Sequence, residues 1–197
     1  MNKASTEWHE EEKKGDIPAP KWLSFRSTSI FSAGFFKNHC GPTAITNLII
    51  SALQAERGEA VPDRECESIF ETVAGLGMKR LFYNFRFGTT DLLLPFFVRA
   101  AFRLFGVKLL RTGRRHFISP KKIRRSLSKG SFAYMEVFSH PDYGWHQWLI
   151  YDTAGDEGFL AADGRTSGPV IIKEKDLGKG LFLEILAPQG LFISSAP

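Results

Sequence analysis

The chain changes character near residue 107, and this change constrains the fold more than any other feature. Before it, apolar residues recur at helical spacing, most clearly from Cys40 to about Gln54. After it, short runs rich in apolar residues alternate with turns that contain glycine. Helices followed by closely spaced strands predict an α+β fold, in which an N-terminal helical lobe packs on a C-terminal, mostly antiparallel sheet.

Capping and turn residues set the limits of the predicted elements. The predicted helices cover residues 40–58, 62–74, 91–105 and 119–128. The predicted strands cover residues 107–111, 131–138, 145–152, 158–162, 169–173 and 181–186, with a further strand or entry segment at 22–31. We expect the second helix to end before Gly75 and Gly77, because glycine commonly follows the last helical turn.

The 197 residues are enough for one well-packed domain at 43% hydrophobic content. Residues 1–21 are polar, contain a run of Glu and Lys, and have two prolines near their end. They predict a flexible N-terminal arm. We expect residues 22–197 to form a single domain.

The two cysteines, Cys40 and Cys66, do not make a disulfide framework and indicate a reducing compartment. No secretory signal is visible. The longest apolar stretch, 92–107, is interrupted by Arg99 and Arg103 and is too short and too charged to span a bilayer. We therefore expect a soluble, cytoplasmic protein with no integral membrane segment.

The net charge of +5 is unevenly distributed, because residues 92–135 contain many Lys and Arg but neither Asp nor Glu. One interpretation is a solvated face balanced by acids elsewhere in the chain. The other is a surface that binds an acidic partner, an acidic substrate or an anionic membrane. Nucleic acid is not expected as a partner, since the stretch lacks a recognised binding motif.

Cys40 stands where the first helix begins, followed by Gly41 and Pro42. Proline is well tolerated in the first turn of a helix. A cysteine here faces unpaired backbone N–H groups and the positive end of the helix dipole. Both favour the thiolate and predict a lowered pKa. Cys40 is therefore the candidate nucleophile, whereas Cys66 lies within a helix and is expected to be a buried structural thiol.

A cysteine nucleophile needs a base, and five histidines are available. His146 is the best candidate because it opens a strongly apolar strand that would fix its ring; the alternative is a hydrogen-bonded histidine at a sheet edge. His140, in the preceding loop, is the reserve. Asp163, after the next strand, could orient the imidazole, or it could be a simple turn residue. Asp152 competes for this role from the far end of the His146 strand.

The oxyanion formed on attack also needs donors. The backbone N–H of Cys40 can serve, with Asn38 as the natural side-chain candidate and His39 as the second. Asn38 could equally be a turn residue. Nothing in the sequence implies a metal or a cofactor.

These residues resemble the papain-like cysteine peptidases, and most closely the bacterial branch that contains the bacteriocin-processing, double-glycine leader peptidases and their stand-alone relatives. The resemblance is carried by the nucleophile run 40–44, the helix and strand 119–138, the Gly-Trp-His run 144–146 and the Ala-Asp pair 162–163. It covers residues 35–186. It implies a papain-like fold and a thiolate–imidazolium pair, with Asp163 orienting the histidine.

The family usually has a glutamine six residues before the cysteine as oxyanion donor, and here that position is Gly34. Either Asn38 replaces it or the oxyanion hole is incomplete. The leading hypothesis is a cysteine peptidase acting on a peptide or protein. A papain-fold acyltransferase or amidase, with an acyl-carrier substrate among the acidic possibilities, would use the same thiol. A third hypothesis is a catalytically impaired binding module.

Overall fold

The computed structural model describes residues 38–140, 144–162 and 169–187. The predicted arm, the predicted segment 22–31, Gly34 and Asp163 lie outside these ranges. The described residues form four α-helices and eight strands. The helices are α1 (Cys40–Arg57), α2 (Asp63–Lys79), α3 (Leu94–Leu104) and α4 (Pro120–Leu127), with short 3₁₀ helices at Asp91–Leu93, Gly155–Glu157 and Glu174–Asp176.

Helix α1 is the central element of the helical lobe. Its residues from position 41 to 54 are all buried, so it is covered on every side. It ends as predicted at Gly58, whose left-handed backbone (φ 72°) lets its N–H bond to the carbonyl of Gln54. Helices α2 and α3 pack against it and bury a continuous apolar core with one face of the sheet.

Helix α2 runs further than the sequence predicts, since it continues through Gly75 and Gly77 to Lys79. Gly77 is buried where α2 meets its neighbours, and a Cβ there would lie 2.7 Å from Phe97 and 2.8 Å from Tyr83. The glycine therefore permits close packing between elements rather than ending the helix.

The strands form a two-stranded hairpin and a six-stranded sheet. The hairpin is β1 (Tyr83–Asn84) with β2 (Gly88–Thr89). The large sheet has the order β3-β8-β4-β5-β6-β7 and all its pairs are antiparallel. Its strands are β3 (Arg111–Phe117), β4 (Ser131–Ser139), β5 (His146–Thr153), β6 (Phe159–Ala162), β7 (Val170–Ile172) and β8 (Lys179–Leu186).

The first strand of the large sheet differs from the prediction. Residues 107–110 are not a strand, and β3 instead covers the basic segment Arg111–Phe117 at one edge of the sheet. The remaining predicted strands are found with shifts of one or two residues at their ends.

Alternation along the strands gives the sheet two apolar faces. Phe132, Tyr134 and Leu149 face the helical lobe. Met135, Trp148 and Phe182 face the other way, where Ile123 of α4 covers them. The α+β class and the order of lobe and sheet are thus confirmed. Across the three described ranges, no helix has the length and apolar character needed to cross a membrane.

Candidate functional site

A cavity of about 340 Å³ lies where the start of α1 meets the ends of β4 and β5. Consecutive residues of both strands border it: Glu136 and Gln147 are on the lobe face of the sheet, whereas Val137 and His146 are on the other face. Its lining comprises Asn38, Cys40, residues 86–89, Asp91, residues 136–138 and residues 145–147. Three of the four predicted site residues, Asn38, Cys40 and His146, are therefore brought to one cavity.

Cys40 is the first residue of α1 and is half-buried. Backbone N–H groups of Gln147, Gly41 and Cys40 itself bond to its sulfur and favour the thiolate. Burial outweighs them, and the negative charge of Asp91 acts in the same direction, so the pKa of the Cys40 thiol is raised. The sequence-based expectation of a lowered pKa is wrong, because it considered the helix terminus and not the burial of the sulfur.

Gly41 is required where α1 packs against the sheet and the hairpin. A Cβ at this position would collide with Thr89 Oγ1 and lie 2.5 Å from Gln147 Oε1. The Tyr134 hydroxyl fixes the same region from the sheet, at 3.1 Å from the Gly41 carbonyl oxygen and 2.9 Å from Gln147 Oε1. Cys40 is thus held by tight packing on the residue that follows it.

His146 is the first residue of β5 and is buried. Its ring lies edge-on to that of Trp148, with centroids 5.5 Å apart. Gln147, the next residue, points to the helical lobe and supplies the backbone N–H bonded to the Cys40 sulfur. Because side chains alternate along a strand, the His146 side chain is on the other face of the sheet from Gln147, beside Val137 and Trp148.

The other described histidines lie in different environments. His39 precedes α1, with its ring 6.2 Å from that of Phe70. His140, the reserve base, packs against Trp148. His116, on β3, lies 3.3 Å from Glu184. None of these three borders the cavity.

Asp163 lies outside the described residues, and its role stays a prediction. The strand before it, β6, is the neighbour of β5, and its last residue Ala162 is opposite Leu149. The end of β6 is therefore opposite a residue of β5 that lies three positions after His146. Asp152, the competing carboxylate, accepts a hydrogen bond from the N–H of Thr153 at the far end of β5.

Asn38 borders the cavity in a left-handed backbone conformation (φ 59°). Its side-chain amide donates a 2.7 Å hydrogen bond to the carbonyl of Arg86 and so ties the start of α1 to the hairpin. Asn38 is therefore a turn residue, which is one of the two roles considered for it from the sequence. Its oxyanion role, for which the amide has a second hydrogen, stays a prediction.

A polar network that the sequence did not predict lies beside Cys40. Gln147 Nε2 lies 3.4 Å from Asp91 Oδ1, while its Oε1 accepts from Tyr134. Glu136 is opposite Gln147 on β4 and forms an ion pair with Arg115 of β3. A glutamate inside the apolar run of β4 was the available signal, since charged residues are rarely buried without a function or a partner.

Burial raises the pKa of Glu136 to about 7, against the lowering effect of Arg115. Burial also raises the pKa of Asp91. Glu136 Oε2 binds Arg115, whereas Oε1 is buried with no hydrogen-bond partner. A buried carboxyl group with one unpaired oxygen at a cavity is unusual and needs an explanation.

Part of the basic stretch 92–135 is balanced by acids from outside it. Arg115 pairs with Glu136, and Arg124 pairs with Glu174. This favours the interpretation that acids elsewhere in the chain balance those residues, and an acidic partner for the rest stays a prediction. Over the part of the chain that is described, no group of three or more His, Cys, Asp or Glu side chains could hold a metal ion.

Comparison of the chain with family models, with curated proteins and with solved structures finds no match.

Proposed function

We propose that the protein is a cysteine-dependent peptidase with a papain-like fold, which acts on peptide or protein substrates through Cys40, His146 and Asp163. One observation supports it most: the thiol at the start of a buried helix and the strand histidine border the same cavity. The free thiols of Cys40 and Cys66 are compatible with a reducing compartment such as the cytoplasm.

The raised pKa of Cys40 determines how the reaction would begin. Since the resting sulfur holds its proton, His146 takes that proton as the sulfur attacks the substrate carbonyl carbon. The sulfur–carbon bond forms, and the oxyanion is stabilised by backbone N–H groups and the second amide hydrogen of Asn38. His146 then protonates the leaving nitrogen as the carbon–nitrogen bond breaks, and water hydrolyses the thioester.

The test is alkylation of the folded protein by iodoacetamide across pH, read by peptide mass spectrometry. We expect Cys40 to be labelled and Cys66, which is fully buried, to be protected. His146→Ala should slow labelling of Cys40 near neutral pH by about tenfold or more, because the base is lost. His116→Ala is the matched control, since His116 lies on β3 beside Glu184, and it should have no effect.

Equal rates of Cys40 alkylation in wild type and His146→Ala would show that His146 is not the base. Slow labelling of Cys40 in both would favour the binding-module hypothesis.

A further inference from the structure

Two carboxyl groups border the cavity beside the nucleophile. Asp91 belongs to the 3₁₀ turn before α3 and is half-buried. It is close enough to Cys40 for its charge to disfavour the thiolate. Glu136, on β4, is 1% exposed and has an unpaired buried oxygen, Oε1. The wall of the cavity therefore carries two acids.

Two arginines lie near these acids. Arg115 is in contact with Glu136 and also acts on the charge of Asp91, so one guanidinium serves two carboxyl groups. Arg86 borders the cavity but is exposed, and its guanidinium lies over the ring of Phe85 at 5.6 Å. Asp91 is bonded by a neutral amide, that of Gln147.

The mouth of the cavity has aromatic side chains available to a cation. Phe87 and Trp145 both border it and are 81% and 70% exposed. Aromatic faces attract ammonium and guanidinium groups, and Trp does so best. A substrate that supplied a positive charge would satisfy the carboxylates and use these rings at once.

We propose that the cavity selects substrates with a positively charged group, an amine or guanidinium, next to the carbonyl that Cys40 attacks. Asp91 contacts this group, and Glu136, when ionised, adds to the negative field. The inference rests on the proposed function and adds the substrate class, a basic peptide.

The test compares two methanethiosulfonate reagents that differ in charge, trimethylammonium-ethyl and sulfonatoethyl. In each, the cysteine thiolate attacks the reagent's divalent sulfur, a disulfide forms, and the bond to the sulfonyl sulfur breaks so that methanesulfinate leaves with the electron pair. The measured quantity is the rate of reaction with the cationic reagent divided by the rate with the anionic reagent, here called the ratio. It is measured at Cys40 and for free N-acetylcysteine. We expect the ratio at Cys40 of the wild-type protein to be about tenfold above that of the free thiol.

Asp91→Asn should reduce the ratio by about threefold or more, since it keeps the shape and loses the charge. Glu136→Gln should reduce it in the same direction, and carries the comparison if Asp91→Asn does not fold. Glu65→Gln, the matched control, removes an equal charge at an exposed pair with Arg57 and should leave the ratio unchanged.

A ratio equal to that of the free thiol, or one unchanged in both cavity variants, would overturn the proposal. Because these reagents react with any accessible thiol, the result is independent of whether His146 acts as a base. Failure of the charge selectivity is therefore distinguishable from failure of the proposed peptidase activity.

Discussion

Two glycines of α2 that lie two residues apart should respond to alanine in opposite ways. Gly75 and Gly77 both lie in the helix interior, where alanine is favoured over glycine by about 0.5–1 kcal/mol. A Cβ at position 75 meets nothing within 4 Å. Gly75→Ala should therefore raise the free energy of unfolding by about that amount.

Gly77→Ala gains the same helix propensity but is overpacked. Its Cβ would lie 2.7 Å from the Phe97 ring and 2.8 Å from Tyr83 Cβ, both buried. Overpacking of a core typically costs about 1–3 kcal/mol. After the gain in propensity, we expect a net loss of up to about 2.5 kcal/mol in the free energy of unfolding.

Urea denaturation followed by circular dichroism measures both variants. The wild-type midpoint should fall between those of Gly75→Ala and Gly77→Ala, with unchanged slopes. Displacement of Tyr83, which begins the hairpin at the cavity, should also change the rate of Cys40 alkylation in Gly77→Ala alone. If both alanine variants are stabilised equally, the close packing of α2 against α3 and β1 is wrong.

Three further outcomes follow from the site. The pKa of Glu136 is raised from 4.5 to about 7, so the folded state holds its proton more tightly than the unfolded state, and stability should fall by about 3 kcal/mol as pH rises through this window. Urea titrations at pH 5 and pH 8 should show most of this loss in wild type and a smaller one in Glu136→Gln. Tyr134→Phe removes a buried hydroxyl bonded to Gly41 and Gln147, and should lower the free energy of unfolding by about 1–2 kcal/mol in the same assay. Glu65→Gln breaks an exposed ion pair and should change stability by less than about 1 kcal/mol.

Local signals in the sequence predicted most of the fold. Cys40, Gly41 and Pro42 mark the start of α1, and Gly58 marks its end, because caps depend on neighbours along the chain. The strand β3 was missed because Arg111–Phe117 is rich in charged residues, which suited an edge position with acidic partners on β4 and β8. Because of these charged residues, β3 lacks the alternation of apolar and polar residues that predicts a strand.

The site was predicted in part. The placement of Cys40 and His146 at one cavity followed from the order of helix and strand. The cluster of Asp91, Glu136 and Gln147 did not, because it joins residues 11 to 56 positions apart in the chain through side-chain contacts. The direction of the Cys40 pKa depended on burial, which the sequence of the helix start does not specify.

The most direct test of the central claim is the reaction of the protein with p-nitrophenyl acetate, an activated ester that a nucleophilic thiol attacks. We predict a burst of p-nitrophenolate equal to the protein concentration, followed by slower turnover, with the acetyl group found on Cys40 by peptide mass spectrometry. Cys40→Ser should remove the burst, and His146→Ala should remove the turnover. A burst that persists in Cys40→Ser, or acetyl groups found on lysines alone, would contradict the claim that Cys40 is the nucleophile of an enzyme.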